Sequence, residues 1–125
     1  MTALQTPWAP PGQNAVVGWG PQQVATYAAV QYVDVKEYAN WKITLTGNLT
    51  SLNLLNPKDG QKLLLTLVQD GTGSRLVSAW TDIFFAGGTE PTLTTTAAAV
   101  DVFELEYNAA VGKWYARAFG LDFKA

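Results

Sequence analysis

The sequence contains neither cysteine nor histidine. Without thiols it has no disulfide and no thiolate nucleophile, and without imidazole it has no histidine base and none of the common zinc or copper sites. Ser74 and Ser78 have no histidine to activate them, which excludes a Ser-His-Asp triad. Charge is scarce too: 14% of the 125 residues are Asp, Glu, Lys or Arg, where roughly a quarter is usual. Eight basic residues against ten acidic ones give a net charge of −2, so no basic field attracts a phosphate backbone and no nucleic-acid partner is expected. No apolar run approaches the roughly twenty residues of a membrane span, and the N-terminus lacks the basic-then-apolar order of a signal peptide. The expectation is a soluble protein made in a cytoplasm, with no membrane partner. A convincing amphipathic helix is also missing.

What is present is alternation and turn chemistry. The stretch Gln61–Trp80 reads as two strands folded back through one turn: Leu63, Leu65 and Leu67 share a face, and Asp70-Gly71-Thr72-Gly73-Ser74 supplies glycines and short polar side chains for a reversal. Trp41, Ile43 and Leu45 alternate with Lys42, Thr44 and Thr46, the clearest half-buried strand. Leu49–Leu55 reads as a strand with Leu52 and Leu54 inward, followed by the turn Asn56–Gly60. The second half of Val24–Val35 favours a strand, and Leu93–Thr96 reads as a short edge strand. In Ala97–Tyr107, Asp101, Phe103, Leu105 and Tyr107 oppose Val102, Glu104 and Glu106; in Lys113–Phe119, Trp114, Ala116 and Ala118 oppose Tyr115, Arg117 and Phe119.

Seven or eight short strands with turn signals about every ten residues predict an all-β fold, an antiparallel β-sandwich of jelly-roll-like type. One domain spans residues 24–125. Residues 1–23 form an extended N-terminal arm, because Pro7, Pro10, Pro11, Pro21 and three glycines defeat helix and central strand alike. The arm carries Trp8, Val16, Val17 and Trp19. Such side chains call for burial, on the parent domain or on a neighbouring subunit.

Candidate chemistry is thin. Glu104 and Glu106 share a strand face and have the spacing for an acid/base pair or a hard-cation site, yet alternating glutamates are also what the wet side of a sheet needs. Asp101 on an apolar face calls for a partner, and a cross-strand salt bridge to Arg117 or Arg75 supplies one. Asp70–Arg75 lacks the lysine and following helix of a phosphate loop. No catalytic residue, metal ligand or cofactor site is assigned, and the protein is not expected to be an enzyme.

The succession Ile43–Thr50, Leu55–Gln61, Gln69–Arg75, Phe84–Ala97, Val100–Tyr107 and Gly112–Ala116 resembles a β-rich module that recurs in structural proteins of tailed bacteriophages, on tail fibres and tailspikes or as small proteins on the head. The resemblance covers about two thirds of the chain. It implies a virion component, commonly oligomeric and often trimeric. Met1, a short arm and one module favour a small capsid decoration or cement protein over a fibre. Its expected partners are copies of itself and the major capsid protein, with Trp8, Val16, Val17 and Trp19 as arm contacts. The alternative is a tail-fibre or tail-tip module that recognises a host glycan through loops such as Gly71–Ser74 and Gly87–Glu90, with Asp82 among its contacts.

Overall fold

The structure, a computed structural model, describes residues 18–125. Its strands are β1 (Gln23–Ala25), β2 (Val30–Asp34), β3 (Asn40–Leu45), β4 (Ser51–Leu55), β5 (Lys62–Gln69), β6 (Ile83–Phe85), β7 (Val100–Asn108) and β8 (Lys113–Gly120). Helical structure among the described residues is confined to one 3-10 turn, Ala86–Gly88. The protein is all-β, as the alternation predicts.

The strands form two sheets. The larger has the order β1-β3-β5-β7-β8-β6, and the smaller pairs β2 with β4. The antiparallel expectation is corrected here: β1 with β3, β3 with β5, β6 with β8 and β2 with β4 are all parallel, so the large sheet is mixed. Only β7 runs against its neighbours, pairing antiparallel with β5 and β8. Parallel neighbours cannot be joined by a tight turn. The chain solves this by winding: it leaves the large sheet after β1, lays β2 in the small sheet, returns for β3, lays β4 beside β2, and returns again for β5. A jelly-roll topology is not borne out by this strand order.

The expected Gln61–Trp80 hairpin is likewise not formed. After β5 the chain crosses to the small sheet, where Val77 bridges Leu49 and Trp80 bridges Leu52, both in parallel. Ser78 N–H donates to Leu49 O at 2.8 Å and Leu52 N–H to Ala79 O at 2.9 Å. The return run therefore extends the β4 edge instead of pairing with β5. The expected strand at Leu93–Thr96 is absent as well, and Thr94 N–H donates to a carboxylate of β7.

Inward residues of both sheets meet in one core. Ile43, Leu45, Leu63, Leu65, Leu67, Phe103, Leu105 and Trp114 come from the large sheet, and Val33 and Leu52 from the small one, joined by Val35 and Leu49 beside it. Trp80 packs edge-on to Phe85 at 5.0 Å between ring centroids and lies 5.1 Å from Phe103, tying the crossing segment to the large sheet. The core thus sits between the layers. It leaves the outer face of the large sheet uncovered.

Three buried polar side chains staple loops to this frame. Gln31 accepts from Ala28 N–H and donates to Thr26 O; Gln69 accepts from Arg75 N–H and donates to Arg75 O. Asp101 accepts from the backbone amides of Thr94 and Asp122. Each replaces ladder bonds that the adjoining irregular backbone lacks.

Candidate interaction surface

The outer face of the large sheet is built by register. Lys62 lies opposite Glu106, Glu106 opposite Tyr115, and Tyr115 opposite Phe84, which makes one row across β5, β7, β8 and β6. The next row sets Leu64, Glu104 and Arg117 side by side. A third places Thr66, Val102 and Gly120 together, after a bulge between Val102 and Phe103. The ring of Phe123 covers Gly120, where any Cβ would overlap it, and stands 6.3 Å from the ring of Phe119. Phe123 N–H donates to Val100 O at 2.9 Å, so the end of the described chain is held against the start of β7.

Four aromatic side chains, Phe84 on β6, Tyr115 and Phe119 on β8 and Phe123 just after it, are each about half exposed along this face. Between the β6 and β7 sides lies a groove of about 430 Å³ bordered by Phe84, Tyr115, Glu104, Glu106, Lys62 and Arg117. The charges around it are paired. Arg117 donates to Glu104 Oε1 at 2.8 and 3.1 Å, Lys62 Nζ lies 3.5 Å from Glu106 Oε1, and Lys113 Nζ lies 2.6 Å from Asp82 Oδ1 and 5.4 Å from the centre of the Phe84 ring. Glu104 and Glu106 each stand beside a cation of this same chain, the arrangement of a solvated sheet face.

Asp101 requires a correction. It is 2% exposed, and neither Arg75 nor Arg117 reaches it. Its Oδ2 accepts from Thr94 N–H at 2.7 Å and its Oδ1 from Asp122 N–H at 2.9 Å. Arg75 pairs with Asp70 and Arg117 with Glu104. The carboxylate is thus a clamp between the loop before β7 and the C-terminal segment, with backbone amides in place of a counter-ion.

The Asp70–Ser74 turn is held by its own aspartate and by bonds to Leu45 and Thr95. Asp70 Oδ1 accepts from Thr72 N–H at 3.1 Å and from Gly73 N–H at 3.0 Å, while its Oδ2 lies 2.8 Å from the Arg75 guanidinium. The Arg75 guanidinium and these amides hold the Asp70 carboxyl below its ordinary value. Gly73 has φ +72°, and a Cβ there would stand 2.5 Å from Thr95 O. The Thr72 and Gly73 amides are therefore spent on Asp70, and the Ser74 amide on Thr95 O. Gly87–Glu90 is different, since Gly88 and Glu90 are exposed beside Phe84 and Phe85.

Of the arm residues, Trp8, Val16 and Val17 lie outside the described residues. Trp19 is half-buried in a bend before β1, where Asn40 Nδ2 donates to Gly20 O at 3.0 Å. The exposed aromatic cluster was not assigned from the sequence. Its signal was there: Tyr115 and Phe119 alternate with Trp114, so β8 carries aromatic rings on both faces and its outer face cannot be purely hydrophilic. Compared with models of protein families, with curated proteins and with solved structures, the chain matches none.

Proposed function

We propose that the protein is a structural component of a bacteriophage virion, a capsid decoration protein that binds the outer head surface as a homo-oligomer, a trimer in the favoured arrangement, and stabilises it. The reading rests on the resemblance of its strand-and-turn succession to the phage virion module. One observation carries it further: four of the six stretches that bear the resemblance lie in the strands or in the turns that follow them, while Leu55–Gln61 and Phe84–Ala97 are mostly connecting loop. Ile43–Thr50 completes β3 and the crossing to the small sheet, Gln69–Arg75 is the self-bonded turn after β5, and Val100–Tyr107 with Gly112–Ala116 supplies most of β7 and the start of β8. The work is mechanical. Carboxylates that a hydrolytic enzyme would hold ready in a cleft are here bonded to cations or backbone amides that hold loops and strands together.

In this reading the major capsid protein receives the arm, with Trp8, Val16, Val17 and Trp19 as anchors, and each subunit of the oligomer adds effective concentration to the others. The test is binding of purified protein to undecorated heads, followed by electron cryo-microscopy. Regular density at the capsid symmetry axes is expected, and Trp19→Ala is expected to weaken attachment by about 2 kcal/mol, roughly thirtyfold, if Trp19 is a hot spot. Arm-deleted protein that binds as tightly as the full chain would overturn the arm's role. Density confined to the tail tip would replace the decoration reading with glycan recognition.

A further inference from the structure

The outer face of the large sheet is the most unusual surface of the described molecule. Beyond the C-terminal segment, whose Phe123 lies over Gly120, it has no covering layer, while the other face of the same sheet is filled by the core. Half-exposed aromatic rings stand at both ends of β8: Tyr115 with Phe84 near its start, Phe119 with Phe123 at its end. Tyr115 and Phe119 are four positions apart, about 13 Å along a strand, so the two pairs belong to one face of modest size. Clusters of this kind on soluble proteins mark contact surfaces, whereas single exposed apolar residues do not.

The charges on the face indicate what covers it. A basic or acidic partner would be met by an excess of one sign. Around the aromatic rings three cations, Lys62, Lys113 and Arg117, stand among three carboxylates, Asp82, Glu104 and Glu106, each cation beside its carboxylate; Lys42, half-buried on this same face, lies farther off on β3, in the row of Thr66. A neutral field of alternating sign complements a copy of itself, since a small offset between two such faces sets each cation opposite a carboxylate of the neighbour. Aromatic anchors within a rim of paired polar groups are also the anatomy of stable protein–protein contacts.

We propose that the chain self-associates through this face, with Phe84, Tyr115, Phe119 and Phe123 packing against a second copy. The inference rests on the homo-oligomeric part of the proposed function and names its surface; it is independent of what the assembly binds. Trp19, just before β1 and so at the opposite end of the strand order from β6, lies outside this contact.

The experiment is sedimentation velocity of the full chain across a concentration series, with head binding measured separately. A dimer or trimer is expected for the wild type and for Tyr32→Asp, a control on the exposed face of β2. Tyr115→Asp and Phe84→Asp are expected to sediment as monomers, with self-association weakened at least about tenfold and with far-ultraviolet circular dichroism and cooperative melting like the wild type. Where either variant fails to fold, Phe119→Ser is read in its place. A wild type that is monomeric at every concentration overturns the inference, as do patch variants that assemble like the wild type, or a glycan that binds the monomer and loses binding on Tyr115→Asp. A monomer that still coats heads would defeat this inference and leave the virion reading standing. An oligomer that ignores heads would do the reverse.

Discussion

Two carboxylates show how little separates a structural acid from a catalytic one at the level of single residues. Asp101 is buried with no cation beside it, a setting that in an enzyme would suggest a tuned acid, yet both oxygens are occupied by amides of Thr94 and Asp122. Asp101→Asn keeps the shape and one acceptor but turns an NH2 group toward a backbone N–H. The expected cost is about 1–3 kcal/mol, read as a lower urea midpoint at unchanged m-value. Asp70 gives the pH counterpart. Its carboxyl is held below the ordinary value of 3.8, first by the Arg75 side chain and then by the Gly73 and Thr72 amides. A depressed folded-state pKa stabilises the fold fully above that ordinary value, and the contribution disappears as pH falls through the folded value. Denaturation measured from neutral pH down to about pH 2 should therefore show an acid limb below about pH 4, and Asp70→Asn should be less stable at neutral pH with a shallower limb. An Asp70→Asn limb as steep as the wild type would mean that the slope comes from other carboxyls, Asp34 first, which the Lys36 amide and the Asn56 side chain also hold low.

Among the elements, β5 is the hinge between the two pairing modes, parallel to β3 on one side and antiparallel to β7 on the other. Leu63 and Leu65 are fully buried from it and Leu67 nearly so. Leu65→Ala should cost about 2–5 kcal/mol, because neighbours on both sheets are too well anchored to close the cavity. By hydrogen exchange, amides of β5 and β7 should exchange only through global unfolding, and those of the three-residue edge strand β1 much sooner through local opening. Equal protection in β1 and β5 would contradict that order. The leucine face of β5 and the alternation of β3, β7 and β8 were legible in the sequence, because side-chain period is a local property of the backbone. Strand direction was not. Asp70–Ser74 has the same residues whether the chain folds back within one sheet or crosses to the other, and the choice is made by Trp80 packing on Phe85 and Phe103 and by its bridge to Leu52. Leu93–Thr96 failed as a strand for a related reason: a distant carboxylate takes the Thr94 amide that a neighbouring strand would need. The interaction surface was half legible, since aromatic rings on both faces of β8 could be read, whereas their assembly with Phe84 and Phe123 depends on β6 lying parallel beside β8 and on the C-terminal segment folding over Gly120.

For the whole molecule, weak charge and an uncovered aromatic face lead to one measurable consequence. The cations beside the aromatic rings, Lys62, Lys113 and Arg117, are already neutralised within the chain by Glu106, Asp82 and Glu104. Bringing two such faces together exchanges one set of compensated pairs for another, so the net Coulomb gain is small and added salt has little to screen. The Debye length contracts from about 10 Å at 0.1 M to about 3 Å at 1 M, a range over which an interface held by opposed net charges weakens severely. Self-association through Phe84, Tyr115, Phe119 and Phe123 draws instead on apolar area removed from water, which ionic strength barely affects and which excluded salts such as sulfate strengthen. The association constant from sedimentation should therefore change by less than about threefold between about 0.1 and 1 M sodium chloride, and rise in sodium sulfate of equal ionic strength. A steep loss of association with sodium chloride would mean that Arg117 and Lys62 bond mainly to a neighbour's carboxylates. The intrachain pairs would then be a feature of the isolated subunit, and charge rather than the aromatic cluster would hold the assembly together.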